Sequence, residues 1–234
     1  MAAVFLTAEW RQLAMLNYAV DPALLSALVP RGTELDSFAG KTYVSLVGFR
    51  FLKTRVKGFA IPFHQDFDEI NLRFYVRRRA GGEVRRGVVF IREIVPKFAI
   101  AAVARLVYNE NYVSRRMWHA GGDSKAEYGW SEKGVRNRLW IECEGQPRMT
   151  DDGSLEQFIT EHYWGYAAQR DGGCVEYQVG HPSWRVWSGS KAGFEGDAGT
   201  VYGHEMAAAL GGPPDSAFLA DGSAVVVRSG ERIE

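Results

Sequence analysis

Apolar and polar residues alternate with a period of two along several segments of the chain, the pattern that is typical of β-strands. Strands are predicted at residues 42–52, 69–77, 86–95, 125–130, 138–144, 162–169, 174–180 and 223–227. Two glycine-rich turns lie between such strands, Ala-Gly-Gly-Glu at 80–83 and Arg-Asp-Gly-Gly at 170–173. Turns of this composition join antiparallel neighbours, so we predict a β-hairpin at each of them.

Longer apolar runs and capping residues indicate helices between the strands. Helices are predicted at residues 10–29, with a separate short helix at 23–29 that begins after Asp21-Pro22, and at 98–108, 155–161 and 203–210. Pro96 suits the first turn of the helix at 98–108, whose apolar character indicates burial. Ser154 and Gln157 fit a capping box, in which each side chain accepts a backbone N–H at the helix start.

Many strands with few helices between them predict an α+β fold, built mainly from antiparallel strands that form a closed or half-closed barrel. The chain has 234 residues, of which 46% are apolar, enough for a sizeable core. We predict one domain over residues 1–234. A seam at 145–154 is the place where the chain would divide if it formed two domains.

The charges of the chain balance, with 28 Lys plus Arg against 28 Asp plus Glu. A net charge of zero gives no electrostatic basis for binding nucleic acid or an anionic membrane surface. No apolar run approaches the roughly 18–20 residues needed to cross a bilayer, and the N-terminal segment lacks a secretion signal. We therefore expect a soluble, cytoplasmic protein without nucleic-acid or membrane partners. The sequence is compatible with a homo-oligomer.

Local motifs for metals and cofactors are absent from the sequence. It contains no CxxC or HExxH spacing, and neither the GxGxxG nor the GxxxxGK[ST] pattern. The two cysteines, Cys143 and Cys174, fit reduced cytosolic thiols better than a disulfide framework. We predict neither a metal nor another cofactor.

One predicted strand carries polar and aromatic side chains on a single face, namely Glu69, Asn71, Arg73 and Tyr75. The simplest interpretation is a solvated outer face with neighbouring charges that compensate each other. The alternative is a polar lining inside a barrel mouth, where these side chains would orient a small polar ligand.

The following strand is apolar on both faces apart from Arg92 and Glu93. These two side chains point to opposite faces, so each requires its own partner if the strand is buried. Each could form a separate structural ion pair. Alternatively, Glu93 faces the same cavity as Arg73 and Tyr75.

Lys97 and several aromatic residues are further candidates for a site. A lysine in an apolar setting can lose its proton and act as a nucleophile, or it can be an ordinary solvated charge. His64 is either a pocket acid–base group or a structural loop residue. His162, Trp164 and Tyr166 share one strand face, which forms either a structural aromatic wall or a wall that contacts a ligand. His181 is equally ambiguous.

The chain resembles the YqjF-like family of uncharacterised bacterial proteins. The resemblance rests on residues 43–51 (YVSLVGFRF), 69–76 (EINLRFYV), 86–96 (RGVVFIREIVP), 104–112 (ARLVYNENY), 161–166 (EHYWGY) and 181–184 (HPSW). It implies a fold like that of acetoacetate decarboxylase, a cone-shaped antiparallel β-barrel with flanking helices around a central cavity. Those decarboxylases form a Schiff base from a lysine in a segment of the type R-E-L…P-K-K, which would place Lys97 in that role. Here Phe98 replaces the second lysine, and the spacing from Glu93 to Pro96 is shorter.

Three functional hypotheses follow. The first is a small-molecule binding protein, or an enzyme of unknown reaction, in which Arg73 holds a carboxylate or other anion inside the barrel. Its candidate ligand-binding residues are Glu69, Asn71, Arg73, Glu93, Tyr108, Tyr112, His162 and Tyr166. The second is a lyase of the decarboxylase or aldolase type, in which Lys97 attacks a ketone and Glu93 or His64 moves protons. The third is a structural or protein-interaction role.

Overall fold

β-Strands make up most of the structure, a computed structural model that describes residues 2–97 and 111–233. The strands are β1 (Val4–Val20), β2 (Glu34–Leu35), β3 (Thr42–Val56), β4 (Phe59–Ala60), β5 (Phe67–Ala80), β6 (Glu83–Val95), β7 (Tyr112–Ser114), β8 (Met117–Gly122), β9 (Lys125–Glu132), β10 (Val135–Cys143), β11 (Arg148–Met149), β12 (Trp164–Ala168), β13 (Cys174–Gly180), β14 (Arg185–Glu195), β15 (Ser216–Arg228) and β16 (Glu231–Ile233). The helices are α1 (Leu155–Thr160), α2 (Ala198–Tyr202) and α3 (His204–Leu210).

Seven of the strands form a hydrogen-bonded ring in the order β13, β12, β6, β5, β3, β1 and β15, because β15 also pairs with β13. Most neighbours are antiparallel, and the parallel pairs are β6 with β12 and β6 with β7. From β15 the sheet continues outward through β14, β10, β9 and β8. The prediction of an α+β fold built mainly from antiparallel strands is confirmed, as are both predicted hairpins.

Two apolar cores cover the two faces of the ring strands. The inner face of the ring contributes Leu13, Met15 and Val47 to one core. The outer face packs against β9, β10, α2 and α3, with Leu46 and Trp130 in the shared cluster. Because both faces are covered, β3 and β5 are buried along most of their length, even at the charged residues Glu69 and Arg73 of β5.

The first predicted helix is wrong, because residues 4–20 form strand β1 and not a helix. Its run of buried residues, 13–18, lies between β3 and β15 in the sheet and is covered on both faces. An apolar run that is buried on both sides has no alternation, so its pattern resembles that of a buried helix. The short helix predicted at 23–29 is replaced by two 3-10 turns, Pro22–Leu24 and Ser26–Leu28.

Two other predicted helices are present. Helix α1 begins as expected, with the Ser154 hydroxyl oxygen accepting the Gln157 N–H at 3.1 Å. The side-chain oxygen of Gln157 accepts the N–H of Gly153 at 2.8 Å, whereas a capping box predicts that it accepts the N–H of the next residue, Ser154. Helix α3 matches the prediction at 203–210. The helix predicted at 98–108, including the candidate Tyr108, lies outside the described residues. No helix within the described ranges combines the length and the apolar content required to span a membrane.

Substitution of Gly48 with alanine is expected to destabilise the protein by about 1–3 kcal/mol, because it overpacks the contact between β3 and β9. A Cβ at position 48 would lie 2.6 Å from Cδ2 of Tyr128. That ring is buried and its hydroxyl donates to the Gln12 carbonyl at 2.8 Å, so it cannot move away freely. Chemical denaturation measures the change. Gly212→Ala, whose Cβ meets no heavy atom within 4 Å, is the control, and equal losses would contradict the packing argument.

Candidate ligand-binding site

Side chains from all seven ring strands line a pocket of about 330 Å³, which we call the ring pocket. Strand β5 contributes four of them at alternate positions, Phe67, Glu69, Asn71 and Arg73. Since a strand places every second side chain on the same face, these four form a row along the pocket wall. The row runs from the half-buried Phe67 to Arg73, which is 9% exposed. We call the Phe67 end of this row the outer end and the Arg73 end the inner end, because Tyr75, the next residue on this face, is fully buried and does not line the pocket.

The interpretation of this β5 face as a solvated outer surface is wrong. Glu69 and Asn71 are only 2% and 1% exposed. The sheet closes into a ring between β15 and β13, which turns this face inward, and the strand pattern alone carries no sign of that closure. Tyr75, on the same face, lies fully buried beyond Arg73 with its hydroxyl 2.6 Å from the Ser45 hydroxyl, and it does not line the pocket.

Arg73 presents a buried cation to the ring pocket. Its Nη2 atom lies 3.5 Å from the Ile159 carbonyl oxygen and 4.0 Å from Sδ of Met15, which are weak, uncharged contacts. Among residues 2–97 and 111–233, no carboxylate oxygen lies within 4.0 Å of its guanidinium, and its Nε has no hydrogen-bond partner. An unpaired buried charge is costly, so this arrangement favours an anion as ligand.

Glu69 lies in the row next to Asn71 and beside Tyr112. The Asn71 amide donates to its Oε1 at 3.0 Å, and the Tyr112 hydroxyl donates to its Oε2 at 3.1 Å. Burial raises the pKa of Glu69 to about 7, although both hydrogen bonds and the positive charge of Arg73 oppose this shift. Glu69 is therefore a carboxyl group that can gain or lose a proton near neutral pH.

A second carboxylate, Glu93, lines the pocket together with Arg73, so it faces the same space. It is 2% exposed and pairs in register with Asn71 on β5 and with Tyr112 on β7. Loss of hydration raises the pKa of Tyr112 well above its usual range, and the negative charges of Glu69 and Glu93 raise it further. The Tyr112 hydroxyl therefore stays protonated and lies between the two carboxyl groups.

His162 lines the inner part of the pocket, where its ring centroid is 4.6 Å from that of Tyr75. Its Nε2 is 3.6 Å from Oδ2 of Asp36, and neither ring nitrogen has a hydrogen-bond partner within the described part of the chain. Burial lowers the pKa of His162 to about 4, despite the opposing effect of Asp36. The ring is therefore neutral at pH 7 and leaves Arg73 as the positive charge at the inner end.

Two further histidines, His64 and His181, also line the pocket. His181 stacks on Trp184, with ring centroids 4.1 Å apart and planes at 16°. Burial lowers the pKa of His181. His64 also lines the pocket, and its Nδ1 is 2.8 Å from the Pro62 carbonyl oxygen. Across the described ranges, no group of three or more His, Cys, Asp or Glu side chains is arranged to hold a metal ion.

Two of the predicted site residues are absent from the lining of the ring pocket. Tyr166 is buried, but its hydroxyl donates to Oε1 of Glu176 at 3.0 Å and it does not line the pocket. Lys97 is half-buried just after β6, and it too is absent from the described lining. The structure therefore brings together Glu69, Asn71, Arg73, Glu93, Tyr112 and His162.

Of the aromatic lining, the sequence pattern points to Tyr112 and Trp164 but not to Trp10, Phe49 and Phe51. Trp10 lies on β1, in a segment whose pattern predicts a helix. Phe49 and Phe51 lie on the predicted strand at 42–52, and both line the pocket. Alternation placed them on one face, but it could not show that this face is continuous with that of Glu69. The pairings of Phe49 with Glu69 and of Phe51 with Phe67 create that continuity.

Comparison with known sequences relates the chain to proteins without a defined activity. The sequence pattern of the DUF2071 family, described as an uncharacterized conserved protein, matches residues 7–224. The uncharacterized protein YqjF of Bacillus subtilis (strain 168) is 24% identical over 166 residues, which are 69% of this chain and 67% of the relative.

Comparison with solved structures relates the fold to enzymes. An acetoacetate decarboxylase from Legionella pneumophila has a TM-score of 0.73 at 13% identity, covering 99% of this chain and 88% of that protein. The enduracididine biosynthesis enzyme MppR in complex with pyruvate has a TM-score of 0.72 at 14% identity, covering 100% and 92%. An acetoacetate decarboxylase-like enzyme from Sphingomonas wittichii RW1 has a TM-score of 0.66 at 16% identity, covering 98% and 92%. At such low identity the similarity shows the fold and nothing more about the chemistry.

Proposed function

The chain belongs to the DUF2071 family of uncharacterized conserved proteins, and we propose that it binds a carboxylate-bearing small molecule in the ring pocket. The observation that carries this proposal is Arg73, a buried pocket-lining cation without a carboxylate partner among the described residues. A guanidinium binds a carboxylate with two parallel hydrogen bonds, and such charge-assisted bonds strengthen when water is excluded.

In this proposal the seven-stranded ring acts as a closed, cone-shaped barrel within a single domain, and the ring pocket is its ligand cavity. The pairing of β13 with β15 supports closure, since it joins the two ends of the ring. The pocket volume of about 330 Å³ lies within the range of known small-molecule sites. A structural neighbour, MppR, is complexed with pyruvate, which supports a carboxylate as the ligand class.

The neighbouring groups complete the binding site. Arg73 takes the carboxylate at the inner end, where His162 is neutral and does not compete as a second cation. Asn71 keeps its Oδ1 without a hydrogen-bond partner in the described residues, so it can accept from a hydroxyl or amine of the ligand. Glu69, when protonated, adds no negative charge that would repel the ligand.

The lysine-dependent alternative remains a prediction. Its Schiff base requires Lys97 to reach a ketone in the same space as the acid–base groups. Glu93 and His64 do line the ring pocket, whereas Lys97 is absent from the described lining. We therefore place ligand binding first and assign Lys97 no role in it.

The test is titration calorimetry with a panel of carboxylates, pyruvate among them, on the wild type and on Arg73→Met. Methionine keeps much of the apolar length and removes the charge, so affinity is expected to fall about 10- to 100-fold. Arg77→Met is the matched control, because Arg77 lies on the same strand with a side chain that is 42% exposed and paired with Glu34. Unchanged affinity in Arg73→Met, or binding by no member of the panel, would refute the proposal.

A further inference from the structure

We infer that the ligand of the ring pocket is a carboxylate that carries an aromatic or branched apolar body, and not a compact acid such as pyruvate. This inference rests on the proposed function and specifies its substrate class. It comes from the shape of the pocket and from the side chains that line it beyond Arg73.

The row of β5 residues that lines the ring pocket is much longer than a three-carbon acid. Phe67 and Arg73 both belong to it and are six residues apart on the same strand. At about 3.3 Å per residue, their Cα atoms lie about 20 Å apart along β5. A compact acid held by Arg73 would leave the outer part of the pocket empty or filled with water. An elongated ligand would occupy both ends.

The outer part of the pocket is aromatic. Phe51 stacks on Phe67, with ring centroids 4.6 Å apart and planes at 12°. Trp10 meets Phe51 edge to face at 5.8 Å, and it meets Trp184 at 6.3 Å in the same manner. These rings therefore hold one another in place and form a fixed apolar surface, on which a flat or branched hydrocarbon group packs without reordering them.

Apart from histidines, the charged side chains of the described lining come from two neighbouring strands, β5 and β6. Arg73, Asn71 and Glu69 come from β5, with Glu93 and Tyr112 from the adjacent β6 and β7. Most of the phenylalanine and tryptophan side chains of the lining come from β1, β3 and the segment after β13, and the others come from β5, β6 and β12. A ligand with a charged end and an apolar body matches this division, because each part meets a surface of its own kind.

The volume of the pocket fits such a ligand. A dry apolar cavity of about 150 Å³ is large enough to admit benzene. The ring pocket, at about 330 Å³, has room for a ring together with a short carboxylate-bearing chain. Trp10 also has an indole N–H that is buried without a hydrogen-bond partner in the described residues, so it offers a donor to a polar atom on the ligand body.

The experiment compares two probes with the same head group, pyruvate and phenylpyruvate, by titration calorimetry on the full chain. Both present a 2-oxo carboxylate, and they differ by one phenyl ring. Phenylpyruvate is expected to bind about 10- to 100-fold more tightly, the gain from burying a Phe-sized group. Trp10→Leu should lower this ratio of affinities. Phe67→Leu, at the half-buried outer end, provides the same measurement if Trp10→Leu does not fold.

The outcomes separate this inference from the proposed function. If the two probes bind with equal affinity and neither binds to Arg73→Met, the inference of an apolar ligand body is overturned, whereas the proposal of carboxylate binding stands. A ratio that stays unchanged in the folded aromatic variant would also overturn it. Binding of neither probe, or binding that does not depend on Arg73, would refute the proposed function itself.

Discussion

Replacement of Glu176 by glutamine is expected to lower the free energy of unfolding by about 3 kcal/mol, the lower end of the cost of breaking a buried ion pair. Glu176 is 6% exposed and accepts from Arg78 at 3.1 Å, from Arg85 at 2.5 Å and from the Tyr166 hydroxyl at 3.0 Å. Glutamine has the same shape, but its amide nitrogen would face an arginine donor. The two arginines retain 23% and 25% exposure, so partial rehydration moderates the loss.

The network around Glu176 also supports the pocket wall. The Arg85 guanidinium lies 4.3 Å from the ring centroid of Trp164, which lines the ring pocket. Thermal denaturation should show a melting temperature lower by about 6–12 °C for a chain of this size. Glu83→Gln is the matched control, since Glu83 pairs with the same arginine at 2.7 Å but its side chain is 60% exposed. Its expected change is under about 0.5 kcal/mol. A similar small change in Glu176→Gln would show that the buried pair contributes little.

The affinity for a carboxylate is expected to be flat below pH 7 and to fall about tenfold for each pH unit above it. Burial raises the pKa of Glu69 to about 7, so the group is neutral below that pH and negative above it. Above that pH, an anion that binds at Arg73 is repelled by the negative charge of Glu69 in the same pocket. Of the groups that hydrogen-bond to Glu69, Tyr112 stays protonated and Asn71 does not titrate, so neither changes charge in this pH range.

Glu69→Gln is the variant that isolates this effect. Glutamine preserves an acceptor for Tyr112 and removes the titration, so the slope above pH 7 should disappear. Calorimetry at pH 8 in buffers of different ionisation enthalpy should show uptake of about one proton per ligand in the wild type and none in the variant. Equal slopes in both proteins would contradict the assignment to Glu69.

The same raised pKa affects the ligand-free protein. A carboxyl group that binds its proton more tightly in the folded state favours folding at low pH. That contribution is complete below the ordinary value of 4.5 and is lost as the pH rises through about 7. The pH dependence of folding and that of ligand binding therefore have a common origin in the burial of Glu69.

Strands with clear alternation could be predicted from the sequence, whereas β1 could not. The segments at 42–52, 69–77 and 86–95 all form strands, because their turns and their alternation agree. Residues 13–18 are buried in succession, so β1 lacked the pattern that distinguishes a strand from a buried helix. Because the sequence pattern does not predict β1, the predicted site does not include Trp10.

The candidate site was predictable as a set of residue types but not as an arrangement. Period two placed Glu69, Asn71 and Arg73 on one face, and the structure keeps them together along the pocket wall. The same period placed Tyr166 near His162, yet the Tyr166 hydroxyl bonds to Glu176 outside the pocket lining. Alternation assigns a side chain to a face, but it does not say how far along that face a pocket extends.

Sequence patterns alone are sufficient to predict most strands, the side chains that share a face, and a mainly antiparallel fold. Burial of the polar face of β5, and its contact with Glu93 and Tyr112, follow only from the folded arrangement. They depend on the pairing of β15 with β13, a contact between distant parts of the chain. Local patterns report the neighbours of a residue along the chain, whereas closure of the ring determines whether its side chain meets water or Arg73.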